Sequence, residues 1–169
     1  MSTSSRRAAT RERWRLIGIR ATVACTGLYG AMKVYWALGG SLLLAQTPVP
    51  AEARQKLIDQ DPEAITSHWQ FVAAVVLALV YASAVARPWG EWMRRMPRWI
   101  LLLPAALTFL MMTARAVLLV IGDVGVIWFD WKGTVYLAWW DLLLWSPYFL
   151  VWGLSWGLLA WGHRRAATG

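Results

Sequence analysis

Apolar residues in this chain arrive in four long blocks, near 16–45, 68–86, 99–122 and 134–162. Polar, charged and proline-containing stretches separate them. A helix needs about 20 apolar residues to cross roughly 30 Å of hydrocarbon. The second block meets that length with no charge between its ends. The first and fourth exceed it, which predicts tilt, bending or projection beyond the bilayer. Pro104 and Pro147 fall inside the third and fourth blocks. Each removes a backbone donor and predicts a bend. The pattern predicts an all-α integral membrane protein, an antiparallel four-helix bundle. Tails at 1–15 and 163–169 flank the membrane domain at 16–162. Within the first connection, Ala51 to Leu57 reads as a short surface helix.

Composition agrees with the pattern. Of 169 residues, 59% are hydrophobic and 15% charged, against about 45–50% and ~25% in a soluble domain. Disorder, a collagen-like repeat and a disulfide scaffold are excluded. The single Cys25 permits no internal disulfide and no thiol relay. It reads as a small buried side chain.

The formal net charge of +8 fits loop asymmetry better than nucleic-acid binding, because no basic nucleic-acid module is present. Twelve arginines fall on one side, in the 1–20 stretch, the 87–98 connection and the C-terminal tail. Only Arg54, Lys56 and Lys132 fall on the other. Positive residues stay inside, so both termini are expected in the cytoplasm, in a multi-pass protein of the cytoplasmic membrane. The first apolar block contains Lys33 and is about three times an ordinary signal-peptide core, so cleavage is not expected. Trp14 and Trp99 are placed as interfacial anchors.

Three ionisable residues remain inside blocks: Lys33, Arg115 and Asp141. Intramembrane charges are costly and mark a function or a pair. Helical rise puts Lys33 about 20 Å beyond Arg20 and Arg115 about 25 Å beyond Arg98. Asp141 comes about 10 Å below Thr134. Antiparallel threading gathers all three in the outer half of the bilayer, where His68 opens the second block. These four residues form a candidate polar pocket, with Asp141 bridging Arg115 and Lys33. A surplus cation there suits a phosphate or carboxylate. In the alternative, Asp141 neutralises Arg115 while Lys33 reaches the interface. Trp145, Tyr148, Trp152 and Trp156 continue the Asp141 face at helical spacing. They form a candidate aromatic wall. An interfacial belt explains such residues only near helix ends.

No catalytic residue is assigned, since one carboxylate among cations lacks an acid–base or nucleophile–base pair. No metal or cofactor is expected: two histidines and one cysteine give no ligand spacing. Gly153 and Gly157 form a G-x-x-x-G, a close-contact motif toward another helix or another subunit.

The tract Tyr35-Trp36-Ala37-Leu38-Gly39-Gly40 resembles the Y-W-A-L-G-G signature of an uncharacterised actinobacterial family of small four-span membrane proteins. Trp145-Ser146-Pro147-Tyr148-Phe149-Leu150, with Gly153 and Gly157, resembles that family's last helix. The resemblance implies fold and location and assigns no activity. Two functional readings follow. One is a small polytopic accessory or subunit protein that assembles within the bilayer, with membrane lipids, another membrane protein or itself as partners. The other is a binder of lipid- or isoprenoid-like ligands, or an enzyme acting on them, using the outer polar pocket.

Overall fold

The structure is a computed structural model that describes residues 3–86 and 97–165, with Glu91 and Arg95 between them. Arg87 and Arg94 of the basic connection, and the last four residues of the C-terminal tail, lie outside the described residues. Among the described residues the fold is all-α, with no strand.

Helix α1 (Thr3–Ala37) starts within the stretch read as a basic tail and ends eight residues before the expected boundary. Arginine, alanine and glutamate favour helix, so the 1–15 stretch extends α1. The early stop is the work of the Y-W-A-L-G-G tract. Gly39 adopts φ +91°, while Gly40 donates to the Tyr35 carbonyl at 2.9 Å and Gly39 to that of Trp36 at 3.0 Å. This is a Schellman cap, in which the left-handed residue is most readily glycine. A Cβ on Gly40 would sit 2.3 Å from the Tyr35 ring. The Trp36 indole donates to the Leu42 carbonyl at 2.8 Å, tying the next turn down.

A 3-10 turn (Leu44–Gln46) leads to the short helix α2 (Ala51–Ile58), where the surface helix was expected. Helix α3 (Pro62–Ala86) begins six residues earlier than the apolar block. Asp61 caps it, accepting from the backbone N–H of Glu63 and Ala64 at 3.0 and 3.1 Å. Proline is well suited to the first turn. His68 therefore sits in the second turn rather than opening the helix.

Helix α4 (Arg98–Trp128) carries Pro104 without interruption. The last span is one helical path in three parts: α5 (Val135–Trp140), a π turn (Asp141–Trp145) and α6 (Ser146–Arg165). Pro147 cannot donate to the turn before it, and the helix widens into the π turn just upstream.

Among the described residues, three stretches are long and apolar enough to cross a membrane: Pro62–Ala86, Trp99–Trp128 and Val135–Trp161. Helix α1, with Arg15, Arg20 and Lys33, is not among them. Close packing joins α4 to α6, α6 to α1 and α1 to α3. Small residues permit these approaches. A Cβ on Gly18 would lie 3.1 Å from the Leu159 backbone nitrogen, and one on Gly153 would lie 3.0 Å from that of Thr113. One on Gly30 would lie 2.6 Å from Val75. The G-x-x-x-G of α6 is thus occupied by α4 of the same chain, through Thr113 and Phe109.

The α1–α6 seam is also polar. Thr22 donates to Ser155 at 3.1 Å, Trp152 to Thr26 at 2.9 Å and Tyr148 to the Cys25 carbonyl at 2.6 Å. Such hydrogen bonds hold helices together where lipid removes the hydrophobic drive.

Helices α3 and α4 do not pack along their lengths. They are tied near their connection, where the Tyr81 hydroxyl donates to the Leu101 carbonyl. The four long helices therefore form an open arc, in the order α3, α1, α6, α4, with a gap between its ends.

Candidate functional site

A cavity of about 780 Å³ occupies this gap. Helix α1 supplies Tyr29 and Lys33, α3 supplies His68 and Phe71, and α4 supplies Met111 and Arg115. Phe149 and Trp152 of α6 form the back, while Lys56 and Leu57 of α2 close one end. The lining is mostly apolar, with Lys33, His68 and Arg115 among its polar groups.

Lys33 is central among these polar groups. The side chain is buried, yet no carboxylate lies within 4.0 Å of its ammonium among the described residues. Its Nζ donates to His68 Nε2 at 3.4 Å. Three rings surround it, with centroids at 4.9 Å for Trp36, 5.3 Å for Tyr29 and 5.4 Å for Phe71. Ring faces stabilise a cation, more so when water is excluded. A neutral imidazole accepting from Lys33 holds its proton on Nδ1.

Arg115 enters the same cavity from α4 and stacks over Phe149 at 4.8 Å. It too lacks a carboxylate partner within 4.0 Å among the described residues. Ring faces attract each cation through their quadrupoles but supply no counter-ion. Lys33 and Arg115 thus stand at a largely apolar cavity without a paired carboxylate; Lys56 and Glu63 also line it.

Of the four residues expected to form the polar pocket, Lys33, His68 and Arg115 line one cavity. Asp141 does not. The expected bridge from Asp141 to Arg115 or Lys33 is not formed. Asp141 is buried, with Oδ1 lacking a hydrogen-bond partner. The π turn separates it in rotation from the residues that follow, so the simple helical spacing fails there.

The expected aromatic wall divides in the same way. Trp152 lines the cavity. Trp145 is buried and donates to the Gln46 carbonyl at 2.6 Å, and Tyr148 is bound to α1. Trp156 stacks on Tyr81 at 5.9 Å. These three are mortar between helices. Tyr29, Phe71 and Phe149 were overlooked as cavity aromatics. Phe149 follows Trp145 by four residues, which was a readable signal; Tyr29 precedes Lys33 by four on the same face.

The family described as "Protein of unknown function (DUF3995)" matches residues 26–156. The chain belongs to the DUF3995 family. Every residue lining the cavity lies within the matched stretch of this DUF3995 chain. So does the Y-W-A-L-G-G tract, whereas the N-terminal basic turns of α1 lie outside it. No curated protein and no solved structure matches the chain.

Proposed function

We propose that this DUF3995 protein is a four-span protein of the cytoplasmic membrane that binds an anionic amphiphile between α3 and α4. The observation that carries this is the pairing of two uncompensated cations, Lys33 and Arg115, on an apolar cavity in an open arc of helices. A phosphate or carboxylate headgroup would take the place of the missing counter-ion. The acyl or prenyl chain would lie along Phe71, Ala74, Ala78 and Met111, in the gap toward the bilayer.

The fourth span would be α1. Its contacts with α6 at Gly18 and with α3 at Gly30 run alongside two apolar helices, which supports a shared depth. Charge asymmetry supports cytoplasmic termini. In a Cys25→Ser background, Asp130→Cys is expected to react with an impermeant maleimide in intact cells. Glu12→Cys is expected to react only after lysis. The reverse pattern contradicts this orientation.

The accessory-subunit reading has weaker support, because the glycine motif that suggested assembly is occupied within the chain. Native mass spectrometry of the full chain, released from nanodiscs of mixed phosphatidylglycerol and phosphatidylcholine, tests the amphiphile reading. The expected result is one retained lipid per chain with an anionic-to-zwitterionic ratio at least tenfold above that of the bilayer, since one charge-assisted contact of about 1.4 kcal/mol corresponds to tenfold. Retention in proportion to bilayer composition contradicts the reading.

A further inference from the structure

The amphiphile cavity leaves two buried acids unused. Asp123 lies on α4 and Asp141 at the start of the π turn, with exposures of 7% and 8%. The facing glycines set the register between the two helices. Gly157 meets Phe109 and Gly153 meets Thr113, so four steps along α6 answer four steps back along α4. Continued outward, this antiparallel register brings Asp141 level with the turn of α4 that carries Asp123. The two acids are within electrostatic range of each other.

Three buried side-chain oxygens on α4 and on the turn facing it have no hydrogen-bond partner: Asp123 Oδ2, Asp141 Oδ1 and Ser146 Oγ. Ser146 is 3% exposed and sits one π turn beyond Asp141, its backbone N–H donating to the Asp141 carbonyl. Buried polar atoms of this kind are rare unless something satisfies them. Two like charges in a buried seam are also strongly unfavourable.

The charges acting on Asp141 are Asp123 and Arg115, both from α4. Arg115 forms no ion pair with either acid and lines the cavity instead, so neither carboxylate has a counter-ion within 4.0 Å among the described residues. One positive charge held between the two carboxylates would remove their like-charge conflict. The donors are all oxygen: two carboxylates and a hydroxyl. That set suits a hard cation or a proton and offers nothing to a soft metal.

We propose that Asp123, Asp141 and Ser146 form a second site, in the seam between α4 and the π turn, that holds a single positive charge as a sodium ion or a proton. Asp123, Asp141 and Ser146 are not part of the lining of the Lys33–Arg115 cavity. The π turn is what creates the site, by turning Asp141 away from the cavity face and toward α4. Widened turns of this type recur at functional positions in helices.

The test uses the full chain in nanodiscs, with sodium chloride titrated against choline chloride at constant ionic strength and at several pH values. Melting temperature and tryptophan fluorescence are the readouts, since Trp139, Trp140 and Trp145 flank the site. Wild type is expected to gain roughly 5 °C saturably when the charge is supplied. A sodium response that weakens as pH falls identifies a sodium site in competition with protons. A gain on lowering pH that is indifferent to sodium identifies a held proton.

In the Asp123→Asn/Asp141→Asn variant both responses are expected to vanish. That variant should also melt higher than wild type in sodium-free buffer at high pH, because it carries no buried charge to neutralise. If it does not fold, Ser146→Ala carries the test by weakening the sodium response without removing an acid, and Asp141→Asn does so for the proton response. Absence of both responses in wild type, or equal responses in wild type and variant, overturns the proposal.

Discussion

Replacing Trp152 with alanine is expected to lower the unfolding free energy by about 3–5 kcal/mol, the usual range for a buried aromatic truncated to a methyl group. Trp152 is 5% exposed and joins three kinds of contact. Its ring lies 5.0 Å from Tyr29, 5.9 Å from Tyr148 and 6.4 Å from Phe149. Its indole N–H donates to Thr26, whose side chain is fully buried. It also forms part of the cavity's back wall.

The loss falls on the α1–α6 seam, and α1 is the long helix least able to enter a membrane on apolar composition alone. Trp152→Phe separates the contributions. It keeps an aromatic ring but leaves Thr26 without its donor, at a cost of about 1–3 kcal/mol. Reversible unfolding in mixed micelles measures both variants. A change below about 1 kcal/mol in Trp152→Ala would mean the seam is not what holds α1 in place.

The second large effect concerns binding and leaves the fold intact. The Lys33→Met/Arg115→Met variant is expected to lose about 100-fold in its preference for anionic over zwitterionic lipid, because each lost charge-assisted contact of about 1.4 kcal/mol corresponds to tenfold. Methionine keeps an unbranched apolar stem in both positions. Chain binding along Phe71 and Met111 should continue, so total lipid retained changes little while its headgroup composition changes. The melting temperature is expected to hold or rise, since Lys33 is a buried cation without a counter-ion, which is itself destabilising, while Arg115 is exposed. If the two cations served only to hold the helices together, the variant would melt well below wild type and keep its lipid preference. The single variant Lys33→Met should also release His68, whose Nε2 accepts from the ammonium.

Much of this arrangement was readable along the chain, and its failures have definite causes. The level shared by Lys33, His68 and Arg115 follows from helical rise alone, because depth along an axis depends only on residue count. Helix α2 followed from the charged stretch between prolines. Rotation about an axis is less forgiving. Asp141 shares a face with Trp145, Tyr148 and Trp152 only if every turn between them is an α turn. The π turn breaks that assumption, and Asp141 faces α4 while Trp152 faces α1.

The counter-ion for Arg115 was misread for the same reason. Opposite charges at a similar depth suggested a pair, yet the guanidinium stacks on Phe149 instead. The start of α1 was obscured by its arginines, which suggested a tail although arginine, alanine and glutamate all favour helix. No periodicity could reveal that α3 and α4 fail to pack against each other. That is a property of how four helices are arranged, and the cavity is its consequence.

Binding between α3 and α4 is tested most directly by an experimental density map of the wild-type chain in nanodiscs containing phosphatidylglycerol. The account predicts elongated density between these helices, with its head within hydrogen-bond reach of Lys33 Nζ or the Arg115 guanidinium and its tail beside Phe71 and Met111. Helices α3 and α4 closed on each other, with Lys33 and Arg115 paired to carboxylates of this chain, would contradict it.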